Sequence, residues 1–262
     1  MSLSDPTPDS PVTEPPLRFD ELVAALRLPF DELEAFLGAH RDHLSEVWAL
    51  KTLSEDPQGD LHKDNFTHTL KVMGQCGPDA SDLTLLAALF HDVGKPLTRH
   101  VHGGEVSFHG HEVVGARLVR QRFKKWGVDP EPVITTILCA ARAQAYLDTW
   151  TDSSVRRLRV DAGDHWDDAI RLAHADVTSR HSYVHRRVHQ TVDSLTTRSD
   201  DLLIEDARKA ERPTLNGNDL YELGVPRGPE MGRLLTWLLE ENRAGRLTDP
   251  DAARHAIRAR LS

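Results

Sequence analysis

The strongest constraint on this chain is an almost unbroken apolar run, Leu83-Thr-Leu-Leu-Ala-Ala-Leu-Phe90, which ends in His91-Asp92 and breaks at Gly94-Lys95-Pro96. A run of this length, rich in Leu and Ala and without strand alternation, reads as a buried helix. A helix apolar all round must be enclosed by others, so the chain has to build a bundle around it. The exit of that helix places an imidazole and a carboxylate at the edge of the core. Burying an acid there is costly unless it is paired or metal-bound.

The rest of the chain agrees with an all-α fold. From about residue 65 apolar positions recur at helical spacing, as in Val113, Val114, Ala116, Leu118, Val119 and Phe123. The periodicity predicts helices over 65–76, 81–92, 110–126, 130–146, 152–162, 164–182 and 184–210, then near 217–223, 228–243 and 249–261. Only His102 to Phe108, across Gly103-Gly104, suits a small hairpin. The expected organisation is a tail over 1–17, a helical segment over 18–60, a main helical domain over 61–210 and a C-terminal helical region over 211–262. Five prolines among Ser, Asp, Thr and Glu in residues 1–16 predict disorder there. Phe19-Asp-Glu-Leu22 is echoed by Phe30-Asp-Glu-Leu33 across Pro29, giving two short helices on one core.

Charge and composition exclude some functions. A net charge of −9 argues against broad nonspecific nucleic-acid binding, though Arg156-Arg157-Leu158-Arg159 and Arg186-Arg187 leave room for a local basic pocket. No apolar run approaches the roughly 18–20 residues of a membrane span. The chain opens without a basic-then-apolar leader, and its only cysteines are Cys76 and Cys139. A reducing cytoplasm is the expected compartment.

His68, in an early turn of an amphipathic helix, and Asp176, flanked by Ala175 and Val177, complete a set with His91 and Asp92. Two imidazoles and two carboxylates suit one divalent ion: Mn²⁺, Fe²⁺, Co²⁺, Ni²⁺ or Mg²⁺. Such an ion would polarise a phosphoryl oxygen and lower the pKa of a nearby water. Asp92 is placed to orient that water. Lys95 and Arg99 follow the pair closely enough to contact phosphate. His111, at a helix start, is a candidate proton donor, and His109 a candidate substrate contact. His181, His185 and His189 recur every four residues, which reads as an exposed helix face.

The pattern His68…His91-Asp92…Asp176 centred on His-Asp-Val-Gly-Lys resembles the HD superfamily of metal-dependent phosphohydrolases. The strings Lys63-Asp-Asn-Phe-Thr-His-Thr-Leu70, Val106-Ser-Phe-His-Gly-His-Glu-Val-Val-Gly-Ala116, Trp150-Thr-Asp-Ser-Ser-Val-Arg-Arg157, Ala175-Asp-Val-Thr-Ser-Arg180 and Leu215-Asn-Gly-Asn-Asp-Leu220 narrow it. Over roughly 40–262 the chain is similar to the HD-domain half of bacterial CCA-adding tRNA nucleotidyltransferases. That resemblance implies a helical HD bundle with phosphatase and cyclic phosphodiesterase activity, and tRNA as a partner. No segment resembles the glycine-rich motif of the polymerase head, so nucleotide addition is not expected of this chain. The relatives carry histidines where this chain has Ala140 and Gln144, which implies a single-metal site. Arg142 and Arg180 fall within the resembling strings and are candidate phosphate contacts. The expected substrate is a nucleotide or RNA-end phosphoester, such as a 2′,3′-cyclic phosphate or a nucleoside monophosphate. Alternatives are a 5′-nucleotidase or dNTP hydrolase, and a non-catalytic tRNA- or protein-binding module.

Overall fold

The computed structural model describes residues 16–53, 64–179, 181–210 and 212–261. The tail expected at the N-terminus, the stretch 54–60 of the N-terminal segment, and Arg180 lie wholly or mostly outside the described residues.

The architecture is all-α with one small hairpin. The helices are α1 (Phe19–Ala25), α2 (Phe30–Ala39), α3 (Ser45–Trp48), α4 (Asn65–Gln75), α5 (Asp82–Phe90), α6 (Lys95–Thr98), α7 (His111–Trp126), α8 (Glu131–Gln144), α9 (Asp152–Ala162), α10 (Trp166–Ala175), α11 (Ser182–Ala210), α12 (Gly217–Glu222), α13 (Pro229–Arg243) and α14 (Pro250–Leu261). Strands β1 (His100–His102) and β2 (Glu105–Ser107) pair antiparallel with Val101 opposite Val106. The chain divides into two compact units, 1–195 and 196–262, so the division falls within α11 and ahead of the 210/211 boundary expected from sequence.

In the first unit α5 is the central rod. Its residues Thr84 through Phe90 are all buried, so the apolar run is indeed enclosed. Ser81 starts it, its Oγ accepting from Thr84 N at 2.9 Å. Helices α4, α8 and α10 pack against α5, and α10 also packs on α8. Phe90, Phe123, Phe19 and Trp126 form a chain of edge-on aromatic contacts with centroids 5.5–5.8 Å apart. The repeated Phe-Asp-Glu-Leu motif is explained by packing at its leucines: Leu22 and Leu33 are buried, whereas Phe30 is exposed.

One close approach fixes the turn after α5. A Cβ added to Gly94 would lie 2.0 Å from the His111 carbonyl oxygen and 2.6 Å from Gly115 N. Only glycine lets the turn bearing Asp92 rest against the start of α7. Gly110 has φ 75°, a left-handed conformation, and sets His111 as the first residue of α7.

The second unit has its own small core of Leu215, Leu220, Val225, Met231, Leu238, Ala253 and Ile257. Asn216 begins α12 with a reciprocal cap: its side chain accepts from Asp219 N while Asp219 accepts from Asn216 N. No described helix is long and apolar enough to cross a membrane.

Candidate metal centre

Four side chains converge where two helices end. His91 is the residue that closes α5, Asp92 lies in the following turn, and Asp176 is the first residue beyond α10. His68 comes from the first half of α4. The sequence reading had Asp176 inside a helix continuing to 182; α10 instead stops at Ala175. β-Branched Val177 and Thr178 and then Ser179 are poor helix continuers. Helix C-termini carry partial negative charge, so α5 and α10 favour a cation where they end.

The donor atoms are close. His68 Nε2 lies 3.2 Å from His91 Nε2, 3.1 Å from Asp176 Oδ1 and 3.5 Å from Asp92 Oδ2. His91 Nε2 lies 3.3 Å from Asp92 Oδ2 and 3.5 Å from Asp176 Oδ1. One ligand atom each from His68, His91 and Asp176 fall within 4.8 Å of one another. Donors about 2.0–2.2 Å from a common ion sit roughly 3–3.5 Å apart, so this set fits a divalent metal.

The second nitrogen of each ring is already committed. His91 Nδ1 donates to the Ala88 carbonyl at 2.7 Å, which fixes the tautomer and leaves the Nε2 lone pair facing the cluster. His68 Nδ1 bonds Thr178 Oγ1 at 2.8 Å. Asp92 Oδ2 is buried and accepts no hydrogen bond among the described residues, although Lys95 Nζ lies 2.8 Å away. That oxygen faces the Nε2 atoms of both imidazoles, and a bound cation there would be shared by all three donors.

The charges are strongly coupled. Burial works against protonated His91, but Asp92 and Asp176 raise its pKa well above the usual histidine range. Burial likewise opposes charge on Asp92, yet His91, Lys95 and His68 hold its carboxyl well below the usual range. Asp176 is depressed in the same way despite burial, chiefly by His91 and His68.

These groups open on a cavity of about 210 Å³ lined by His91, Asp92, Lys95, His111, Glu112, Ala140, Ala141, Gln144 and Asp176, with Ile137 and Leu172 as its apolar wall. Lys95 is held by Asp92, by Asn65 Oδ1 at 3.1 Å and over the Phe108 ring at 5.4 Å. His111 Nδ1 donates to the Phe108 carbonyl at 2.9 Å, which leaves Nε2 on the cavity side, 3.6 Å from Asp92 Oδ1.

Other residues named from sequence are placed elsewhere. Arg142 pairs with Asp161 at 2.7 Å, and the cavity takes its neighbours Ala141 and Gln144 instead, because successive helix positions turn by about 100°. His109 is exposed ahead of α7, and half-buried Arg99 ends α6; neither lines the cavity. Cys76 is buried, and burial pushes its thiol up to about 11, which rules it out as a nucleophile near neutral pH. Sequence reasoning missed Glu112, Gln144 as a contributor, Asn65 and Thr178. All but Gln144 stood in the strings that carry the resemblance, but nothing in those strings assigned them a role.

Comparison with known proteins agrees with this geometry. Residues 60–180 match the HD domain family. Over 246 residues, 91% of the chain and 51% of the relative, it is 30% identical to the CC-adding tRNA nucleotidyltransferase of Thermus thermophilus. Over 248 residues, 90% of the chain and 56% of the relative, it is 31% identical to the A-adding tRNA nucleotidyltransferase of Deinococcus radiodurans. The chain therefore spans about half the length of the curated relatives it matches.

Proposed function

We propose that this chain, which carries an HD domain of the metal-dependent phosphohydrolase superfamily and is related to tRNA nucleotidyltransferases, hydrolyses a nucleotide or RNA-end phosphoester. The observation that carries the reading is the convergence of His68, His91, Asp92 and Asp176 beside a cavity bearing Lys95 and His111. We take the ligand set as all four residues, Asp92 Oδ2 lying 3.3 Å from His91 Nε2 and 3.5 Å from His68 Nε2 beside the His68–His91–Asp176 group. A divalent ion held there would supply Lewis acidity toward a phosphoryl oxygen and make a nearby water a stronger acid.

The chain's own residues do the rest. Asp92 has its Oδ1 toward His111, where it orients the attacking water. Lys95, fixed by Asp92, Asn65 and Phe108, neutralises charge that builds on the phosphoryl oxygens. His111 Nε2 is available to bind phosphate or to protonate the leaving oxygen. Ile137 and Leu172 exclude water from one side.

The relatives, both tRNA nucleotidyltransferases, support an RNA-end or nucleotide substrate. We read a 2′,3′-cyclic phosphate at an RNA end, or a nucleoside monophosphate, as the substrate, with Lys95 and His111 as the cavity's phosphate-facing groups beside the ligand set. The purified chain, tested with Mn²⁺, Co²⁺, Ni²⁺ and Mg²⁺ against these substrates, 5′-monophosphates and dNTPs, should hydrolyse the cyclic or monoester group with at least one ion. Preference for dNTPs would move it to the nucleotidase alternative, and no turnover with any pair would leave a binding module. Lys95→Ala should lower turnover about 10²-fold while metal is retained, the loss typical of one transition-state contact.

A further inference from the structure

The end of α10 is not finished by its own backbone. Asp176 N reaches Leu172 O at 2.9 Å, but Val177 N turns to Ala175 O at 2.8 Å and leaves the helical ladder. The next carbonyls would then lack helical donors. Two glutamine amides from neighbouring helices donate to the carbonyls around this exit. Gln144 Nε2 donates to Ala173 O at 2.9 Å and to Asp176 O at 3.0 Å. Gln75 Nε2 donates to Ala175 O at 2.6 Å and to Val177 O at 3.3 Å. Each glutamine is the last residue of its own helix, α8 and α4 respectively.

Each amide nitrogen spends both hydrogens on two carbonyls, one before Asp176 and one at or after it. The two grips alternate along the backbone: 173 and 176 from one side, 175 and 177 from the other. Asp176 is thus held from α8 and α4 at the point where it leaves α10, and its carboxylate is aimed at His68 and His91. A glutamine is suited to the task because one neutral nitrogen offers two donors. Lysine would add a charge beside the ligands, and histidine has no single nitrogen with two hydrogens.

We propose that Gln75 and Gln144 are positioning residues that form a clamp on Asp176 and thereby set the affinity of the metal site. The proposal rests on Asp176 being a metal ligand. It gives Gln144 a purpose beyond the absence of a second-metal histidine: it orients a ligand of the first site. Outer partners that orient ligands are typically worth 10–100-fold in metal affinity.

The test is Co²⁺ titration of the full chain, followed by its visible absorption, for the unaltered protein and for Gln144→Glu and Gln75→Glu. Glutamate keeps the length and turns donors into acceptors facing carbonyls. Each variant should bind Co²⁺ about 10–100-fold more weakly with an altered ligand-field spectrum; for Gln75→Glu, which lies outside the cavity lining, saturating metal should also recover most of the turnover with an unchanged KM for substrate. Where a glutamate variant fails to fold, the methionine variant at that position reads the same affinity. Unchanged Co²⁺ affinity and spectrum in folded variants would overturn the clamp. No Co²⁺ binding by the unaltered chain would instead overturn the metal reading beneath it.

Discussion

His91 and His174 both lie near the C-terminal end of a helix, and each has a ring nitrogen within 3.2 Å of a nitrogen on a second imidazole. Beyond that contact they differ. The His68 and His91 rings are tilted by 56°, and their Nε2 atoms face the same two carboxylates. The His174 and His189 rings are within 19° of parallel, with Nδ1 atoms 2.8 Å apart and centroids at 5.0 Å. Those numbers describe rings meeting edge to edge across one shared proton, with no space for an ion between them. Among the described residues, the acid paired with His174 is Asp193, on its other nitrogen at 3.4 Å and largely exposed. His185, one turn before His189, gives its Nε2 to the Ser179 carbonyl at 2.6 Å. Proximity of imidazoles does not make a metal site; convergence of their lone pairs on a third point does, and that requires the second ring nitrogens to be anchored elsewhere.

The most severe way to break the contrast is Gly94→Ala. The new methyl meets backbone at α7, which cannot swing aside as a side chain could. Overpacking of this kind costs about 3 kcal/mol or more. It should separate His111 from Asp92 and abolish hydrolysis, while the His174–His189 pair, on α10 and α11, persists. Denaturant unfolding with activity at matched folded fraction checks it. Wild-type stability would mean that the α6–α7 approach is looser than the structure has it.

A smaller effect separates the clusters by pH. In the metal-free chain His91 keeps its proton to a higher pH than an ordinary imidazole, because Asp92 and Asp176 outweigh burial. An ion needs the neutral ring and must displace that proton. Metal affinity should therefore rise with pH, by up to about tenfold per unit for one proton, until the raised pKa is passed. Burial pushes His174 the other way, below its ordinary value, so that ring is not among those an ion must deprotonate. Titration in weak buffer at several pH values reads the proton released; a flat affinity from acid to neutral pH contradicts the coupling.

The smallest effect belongs to the second cluster. His189→Ala removes one hydrogen bond on a half-buried ring, a stability loss of about 1 kcal/mol. Metal content and turnover should stay at the level of the unaltered chain. A parallel loss of metal would make the two clusters one site.

Much of this was legible in the sequence because it is local. The α5 run, the hairpin at Gly103-Gly104 and the helices from α7 to α14 follow from periodicity, capping and turn residues, and the structure bounds them within a few residues of expectation. The end of α10 is the exception, and for a physical reason. Beyond the weak local signal of Val177-Thr178-Ser179, the carbonyls at its end are met by Gln75 and Gln144, amides from distant parts of the chain. No local pattern announces such a partner. The same holds for Thr178 behind His68 and Asn65 behind Lys95. Arg142 failed to reach the cavity because a basic residue near a site in sequence still has to lie on the correct face of its helix; Asp161 holds it on another. Histidine spacing at 181, 185 and 189 read as an exposed helix face, but His181 precedes α11, and His185 and His189 are half-buried and bonded to Ser179 O and His174.

The central claim is that His68, His91, Asp92 and Asp176 hold one ion, which elemental analysis tests directly. The chain, purified without added metal, loaded with Mn²⁺ or Co²⁺ and dialysed, should retain about one ion per molecule, the capacity of a four-ligand site completed by water. Asp92→Ala, treated identically and shown to be helical, should retain almost none and lose hydrolysis with it. Retention by Asp92→Ala equal to that of the unaltered chain would contradict the account, as would two firmly held ions in the unaltered protein.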